Sequence, residues 1–353
     1  NPDYQKFVAE NSWWLSDYAL FMAVKDQFGG VEWTKWAEDI RLRWANAMDY
    51  YRRELYFDIE FQQYMQFKFY EQWMKLKKYA NEKGIQIIGD IPIYVAMDSA
   101  DTWAHPELFQ LDEENVPVAV AGCPPDGFCA ENAIGGHWEK GPGIDLFRKV
   151  EQALGWKQVI AEDLGYVTDS VRQLVHDSGF PGMEVLEFAF DSRDSGCAND
   201  YLPHNYPENS VAYTGTHDNE TIVGWWKSIT VKERKLARDY LCDNWTPDKD
   251  LHKCFISITK EEQELVRDYL CDHYTPKKYL YRSLNSLVMR SKAALCVIPM
   301  QDYMGLDNSS RMNQPSTVGK NWKWRIRKRE LTVKLQKEIH GIALRYGRMN
   351  WSD

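Results

Sequence analysis

Acidic residues follow three apolar runs in this sequence, at positions where a buried strand would end. The candidates are Asp90 after the run from Ile85, Glu162 and Asp163 after the run from Val159, and His217 with Asp218 after the run from Val211. Carboxylates are costly to place there without a task, and the carboxyl ends of parallel strands meet at one edge. We therefore expect these acids to share one site. Asp163 is expected to point away from it, because side chains alternate along a strand.

The apolar patterns predict strands, helices and loops in alternation. Strands are expected to start near Ile85, Val159, Gly182, Val211 and Leu295, the third of them running to Asp191. Helices are expected over residues 11–30, over residues 61–80 with Gly84 after the end, and from Thr168 as N-cap. This order is typical of a parallel α/β barrel whose site lies at the carboxyl ends of its strands.

Three regions follow from these patterns. Residues 1–84 are predicted to form a helical cap, residues 85–326 a barrel domain, and residues 327–353 a C-terminal helix. Within the barrel domain, residues 228–249 recur as residues 257–278, so that 228–278 forms a duplicated helical unit. Two copies are too few for a solenoid, and a local duplication that lengthens a surface excursion is the simpler interpretation.

A long loop separates the first predicted strand from the rest of the barrel region. It extends from residue 96 to residue 128 and carries Asp126 directly after two prolines, which stiffen the backbone there. Long loops at strand ends usually carry binding residues. Asp126 is therefore a further candidate.

Composition and charge exclude several classes of function. The chain has 353 residues and a formal net charge of −9, without a basic stripe, which argues against a nucleic-acid partner. It opens without a signal-peptide pattern and contains no membrane-length apolar run, so a cytoplasmic location without membrane contact is expected. Its seven scattered cysteines are predicted to be free thiols rather than zinc ligands. The aromatic content of 14% suggests carbohydrate binding, although most rings are expected in the core.

Ten stretches in one order resemble the amylomaltases, the bacterial 4-α-glucanotransferases. They are WWLSDYALFMAVKDQFGG, GDIPIYVAMDSADTWAHPELF, VAGCPPDGF, HWEKGPGIDLF, AEDLG, GFPGMEVLEFAFD, YLPHNY, YTGTHDNETIVGWW, IPMQDYMGL and RMNQPSTVGKNWKWR. The resemblance runs nearly end to end. It implies an α/β fold of the (β/α)8 TIM-barrel glycoside hydrolase type with an inserted helical subdomain.

The resemblance also implies an activity and a set of site residues. The family transfers α-1,4-glucan segments between maltodextrins, with glucose as a possible acceptor, by retaining double displacement. By resemblance, Glu162 matches the general acid/base and Asp218 matches the acid that stabilises the transition state. Asp90, Asp126 and His217 match substrate-binding positions. No cofactor and no metal are implied, since carboxylates carry this chemistry.

One part of the family pattern is missing from the sequence. The family nucleophile is an aspartate in a stretch similar to R-I-D-H-F-R-G, whereas this chain has only CAENAIGGH between Phe128 and Trp138. The opening barrel segment is not found either, so an incomplete barrel is expected. Two alternatives to the transferase therefore stay open. One is a catalytically inactive glucan-binding protein, and the other is an α-amylase-type hydrolase that uses the same acid pair.

Overall fold

The structure is a computed structural model. It describes residues 1–92, 94–119, 139–165, 167–190, 199–241 and 277–349, together with Gly122, His137 and Lys260. The chain divides into two compact units, Asn1–Ala121 and Gly122–Asp353. Among the described helices, none is both long enough and apolar enough to cross a membrane.

The first unit is built from helices. Their bounds are Pro2–Glu10 (α1), Ser12–Gln27 (α2), Glu38–Arg41 (α3), Ala45–Glu54 (α4), Tyr56–Glu82 (α5) and Ala100–Ala104 (α6), with short 3-10 helices at Trp33–Lys35 and Pro106–Leu108. The helices predicted over residues 11–30 and 61–80 are confirmed as α2 and α5. Gly84 follows the end of α5 with φ of +73°, a left-handed conformation that glycine adopts without strain.

Aromatic rings fill the core of this unit. Trp33, Trp36 and Trp103 are buried together with Phe21, and the Arg43 guanidinium lies 4.3 Å from the centre of the Trp103 ring. These rings are structural, but the expectation that most rings lie in the core is wrong for the described residues, in which more aromatic residues are exposed than buried. The long helix α5 differs, since it has a single buried residue, Phe67, and exposes many of its other rings.

The strand predicted from Ile85 is wrong for the described residues 85–92, which are irregular and exposed. Ile88 and Ile91 have 61% and 79% of their surface exposed. A parallel strand is stabilised only when neighbouring strands pair with its backbone. In the described part of the chain, the sheet does not include this stretch.

The second unit contains a parallel three-stranded sheet in the order β1-β2-β3. The strands are Gly182–Val185 (β1), Ser210–Tyr213 (β2) and Leu295–Val297 (β3). Gly182 pairs with Ser210, and Val211 pairs with Leu295. The strands predicted from Gly182, Val211 and Leu295 are therefore confirmed, and each is short.

Two strand predictions in this unit need correction. After Val185 the chain turns into a 3-10 helix, Leu186–Phe188, so the predicted extension to Asp191 is wrong. Residues 159–165 are irregular rather than a strand. The Ala161 N–H nevertheless donates to the Pro181 carbonyl over 2.9 Å, so this stretch borders the start of β1 with one bond where a strand would need a ladder.

Helices surround the sheet. They are Ile144–Leu154 (α7), Asp169–Ser178 (α8), Ile222–Ser228 (α9), Val231–Tyr240 (α10), Leu280–Met289 (α11), Met300–Tyr303 (α12) and Val333–Arg345 (α13), with 3-10 helices at Lys277–Tyr279, Asn308–Ser310 and Lys328–Glu330. As predicted, Thr168 caps α8 by accepting from Val171 N. Helix α10 belongs to the first copy of the duplicated unit, and nearly all of the second copy lies outside the described residues.

The core of the second unit lies between the sheet and helices α9 and α11. Its largest buried members include Leu186, Phe190 and Trp225. The Trp225 indole N–H donates to the Glu187 carbonyl over 3.1 Å, which joins α9 to the end of β1. Cys296 is a free thiol, as predicted, and the other six cysteines lie outside the described residues.

The carboxyl group of Glu184 on β1 makes the stability of this unit depend on pH. Burial, followed by the nearby charges of Asp163 and Asp200, raises the pKa of Glu184 to about 8, while Arg172 opposes the rise. The folded protein thus holds a proton that the unfolded chain releases above its ordinary pKa of 4.5. Stability must therefore fall as the pH rises from about 4.5 through about 8.

We expect Glu184→Gln to remove much of this pH dependence. The variant should match the parent near pH 4 and exceed its free energy of unfolding by roughly 1 to 3 kcal/mol above pH 8, after allowance for solvent screening. Urea unfolding at several pH values measures the difference. Glu151→Gln, at an exposed carboxyl on α7, is the control. Parallel curves for the parent and Glu184→Gln would contradict the prediction.

Candidate active site

The turn after β2 carries two of the predicted site residues, His217 and Asp218. The Asn219 side-chain oxygen accepts hydrogen bonds from Thr216 N at 2.9 Å and Thr216 Oγ1 at 2.8 Å. The Asp218 N–H donates to Thr216 Oγ1 at 3.2 Å. Small polar residues fold the chain locally here because their side chains replace backbone partners. The turn thus presents Asp218 at the carboxyl end of a parallel strand.

A segment nearly a hundred residues further along holds the same turn. Asn313 Nδ2 donates to Asp218 Oδ1 at 2.5 Å, and Arg311 Nη2 donates to the Asp218 carbonyl at 2.6 Å. Asn313 N donates to the His217 carbonyl at 3.1 Å. Hydrogen bonds from a cationic or amide donor orient a carboxylate and restrict its rotamers. Asp218 therefore has a fixed orientation in spite of its position on a loop.

Trp322 adds an aromatic surface beside these polar groups. Its ring centre lies 5.1 Å from that of His217, and 53% of the residue is exposed. The backbone N–H of Trp322 donates to the Met312 carbonyl at 2.7 Å, which ties the backbone of this residue to the segment that holds Asp218. A flat indole next to hydrogen-bonding groups suits a ligand with apolar faces and polar edges.

Asp302 holds the two ends of the turn that carries His217 and Asp218. Its buried carboxylate accepts from Thr214 Oγ1 at 2.6 Å and from Ile222 N at 2.8 Å. These two bonds anchor both ends of the turn, since Thr214 directly follows β2 and Ile222 begins α9. Burial raises the pKa of Asp302 to about 6, and the hydrogen bonds from Thr214 and Ile222 oppose the rise.

Glu162 lies in the irregular stretch that borders β1, and its side chain is exposed. Its neighbour Asp163 has the structural role predicted for it, because Asp163 Oδ1 accepts from Met183 N at 2.8 Å. The Asp163 carboxylate also occupies the space beside Gly182, where a Cβ atom would lie 2.5 Å from Asp163 Oδ2. The hydrogen bond from Met183 N to Asp163 thus fixes the backbone that carries Glu162.

Two further predicted site residues are Asp90 and Asp126. Asp90 is exposed on the irregular stretch of the first unit, and Asp126 lies outside the described residues. Their roles stay predictions, as does a common site for Asp90, Glu162 and Asp218. Three residues around Asp218 received no role from the sequence, namely Arg311, Asn313 and Trp322. All three lie in the family stretch RMNQPSTVGKNWKWR, which is the feature of the sequence that points to them.

A family model decides the relationship of this chain to known proteins. The 4-alpha-glucanotransferase model of glycoside hydrolases (Glyco_hydro_77) matches residues 1–132 and 129–332. The chain belongs to this 4-alpha-glucanotransferase family. The two matches meet at 129–132, within the stretch where the nucleophile motif was not found. This division agrees with a segment of the family pattern missing at that point.

Similar proteins lead to the same family. The 4-alpha-glucanotransferase of Clostridium butyricum is 34% identical over 405 residues, covering 99% of this chain and 76% of the relative. That of Thermus thermophilus is 36% identical, covering 97% and 73%. Both relatives are longer than this chain.

The solved structure of amylomaltase from Streptococcus agalactiae in complex with acarbose superimposes with a TM-score of 0.81 at 32% identity. It covers 98% of this chain and 74% of the other. This match confirms the predicted fold class, an α/β fold of the (β/α)8 barrel type. A quarter of the amylomaltase has no counterpart in this chain.

We expect Asp302→Ala to lower the free energy of unfolding by about 2 to 4 kcal/mol, because it leaves the Thr214 hydroxyl and the Ile222 N–H buried without an acceptor. Asp302→Asn should cost less, since an amide oxygen can still accept from Ile222. Urea unfolding at pH 7 compares both with Asp177→Ala, at an exposed helix position. Equal losses for Asp302→Ala and Asp177→Ala would contradict the proposed anchoring.

Proposed function

We propose that this protein binds α-1,4-glucans beside Asp218 and Trp322 and transfers glucan segments between maltodextrins, with glucose among its acceptors. One observation carries the proposal: a carboxylate oriented by Asn313 lies next to a half-exposed indole, in a chain of the 4-alpha-glucanotransferase family. The indole face would receive the apolar face of a pyranose ring. The Asp218 carboxylate would accept hydrogen bonds from its hydroxyl groups.

Asp218 and Glu162 have different catalytic roles in this proposal. Asp218, oriented by its hydrogen bonds, would stabilise the positive charge that develops at the anomeric carbon. Glu162, which is exposed, would protonate the leaving oxygen and then deprotonate the acceptor hydroxyl. A sugar hydroxyl in place of water in the second step makes the reaction a transfer. No step in this chemistry calls for a cofactor. Asp90, Asp126 and His217 stay proposed sugar contacts, and the cytoplasm stays the predicted location.

A catalytically inactive glucan-binding protein is the second candidate, and the missing nucleophile motif favours it. A retaining enzyme needs a second carboxyl about 5 to 5.5 Å from the acid/base, to form the covalent intermediate. Loss of a covalent nucleophile typically removes many powers of ten in rate, while binding at the remaining groups can survive. Turnover and binding must therefore be measured separately.

Incubation with maltotriose tests the transferase. We expect glucose and longer maltodextrins to accumulate without a matching rise in reducing ends, and Glu162→Gln and Asp218→Asn each to lower the rate at least about a hundredfold. Glu151→Gln should leave the rate unchanged. Binding of maltotriose without any product would instead establish the inactive binding protein. Accumulation of reducing ends would indicate a hydrolase.

Trp322→Ala should weaken maltotriose binding by about three- to tenfold, the range expected for losing one aromatic contact. Trp322→Phe should retain part of the affinity, because a flat ring remains. Isothermal titration calorimetry of the parent protein and both Trp322 variants measures the maltotriose affinity. Trp156→Ala removes another exposed indole, 70% accessible in the same unit, and should bind as the parent does. A comparable loss in Trp156→Ala would remove Trp322 from the proposed site.

A further inference from the structure

Glu187 is a buried acid near the proposed site; it lies in the family stretch GFPGMEVLEFAFD, but the proposed mechanism gives it no role. It lies in the short helix after β1 and is 8% exposed. Its backbone N–H donates to the Thr214 carbonyl at 3.2 Å, which fixes it against the end of β2. Among the described residues, its Oε1 atom has no hydrogen-bond partner. A buried polar atom without a partner is costly and calls for an explanation.

The Glu187 side chain lies directly against the turn that presents Asp218. A Cβ atom at Gly215 would be 3.0 Å from Glu187 Oε1, so the absence of a side chain at Gly215 makes room for the acid. On the other side, the Asn219 side chain borders the same space, since that Cβ atom would be 3.1 Å from Asn219 Cβ. Glu187 therefore fills the space beneath both arms of the turn.

Hydrogen bonds extend from Asn219, which borders Glu187, to Asp218. Asn219, which contacts Glu187, accepts from Thr216 N and Oγ1 through its side-chain oxygen. Thr216 Oγ1 in turn accepts from the Asp218 N–H at 3.2 Å. A shift of the Asn219 amide would therefore displace the Thr216 side chain and the backbone of Asp218.

The charges around Glu187 favour its neutral form. Burial comes first, and then the acids Asp302 and Glu220 raise the pKa of Glu187 well above its ordinary value, against the Asn219 hydrogen bond and the Arg311 charge. A neutral acid can remain beneath the turn without repelling Asp302. An ionised one would bring a second buried negative charge to the same place.

We propose that Glu187 is a positioning residue that fixes the Asp218 turn through its packing against Gly215 and Asn219, and from Asn219 through Thr216. It does not contact the glucan and acts only through the orientation of Asp218 and His217. The inference rests on the proposed function for its maltotriose readout alone. Its structural readout is the stacking of His217 on Trp322, which needs no ligand and no turnover.

The experiment observes the His217 ring by NMR of the full chain with labelled histidine. The chain has eight histidines, and the spectrum of His217→Asn identifies the His217 signal. Trp322, 5.1 Å away, displaces that signal by its ring current. Glu187→Gln keeps a neutral polar group of the same shape, whereas Glu187→Met has a similar length and lacks polar oxygen atoms. Glu184→Met, at a shielded acid on β1 three residues earlier, is the matched control.

We expect Glu187→Gln to keep the His217 signal in place and maltotriose affinity within about threefold of the parent. Glu187→Met should unfold cooperatively yet move the His217 signal and lower affinity about tenfold, equal to 1.4 kcal/mol. Glu184→Met should change neither readout. An unmoved His217 signal in Glu187→Met, or an equal movement in Glu184→Met, would overturn the proposal.

A second variant decides the matter if Glu187→Met does not fold. Gly215→Ala leaves Glu187 intact but places a methyl group 3.0 Å from its Oε1 and 3.1 Å from Asn219 Cβ. It should displace the His217 signal, and an unmoved signal in folded Gly215→Ala would overturn the proposal. If the parent binds no maltotriose, the proposed function fails, while the His217 comparison still decides the role of Glu187.

Discussion

The two hydrogen bonds of the buried Asp302 carboxylate are the constraint on which the site depends. One comes from the Thr214 hydroxyl at the end of β2 and the other from the Ile222 N–H at the start of α9. Asp302 itself follows β3, so its carboxylate joins two neighbouring strands and a helix at one edge of the sheet. The turn between Thr214 and Ile222 has both its ends fixed in this way. That is why a loop residue, Asp218, can have a definite orientation.

Buried acids gather beneath this turn because parallel strands end at the same edge. Glu187 follows β1 and Asp302 follows β3, and both are removed from water. Their mutual repulsion is limited by keeping protons at Glu187 and by hydrogen bonds to Asp302. Arg311 places the compensating positive charge nearby and donates to the Asp218 carbonyl. The result is an edge at which Glu187 and Asp302 are buried while Asp218 and His217 reach the surface.

Membership of the 4-alpha-glucanotransferase family favours an active transferase. The missing nucleophile motif favours a protein that binds glucan without turnover. The family match covers both units, and the amylomaltase fold is retained at a TM-score of 0.81. The groups proposed to bind glucan are all present: Asn313 donates to Asp218, and the Trp322 ring lies against His217. The catalytic half also requires a carboxyl that attacks carbon, and the sequence offers none in the family position. Glucan binding is thus supported more directly than turnover.

The sequence by itself determined features that depend on near neighbours. The end of α5 before Gly84, the Thr168 cap and the strands at Gly182, Val211 and Leu295 are set by local backbone preferences and short apolar runs. Asp163 has the structural role expected of it through its bond from Met183 N, although the strand on which that expectation was based is not formed. The family followed from motifs that are contiguous in the chain.

Only the tertiary structure decided what depends on distant partners. The apolar run from Ile85 has the pattern of a strand, but a strand exists only where neighbours pair with it. Asn313 and Arg311 orient Asp218 across nearly a hundred residues, and no spacing rule connects them. The raised pKa values of Glu187 and Asp302 likewise follow from burial, to which the charges of Asp302 and Glu220 add at Glu187. Both are properties of the folded chain, because an extended chain leaves every carboxyl in water.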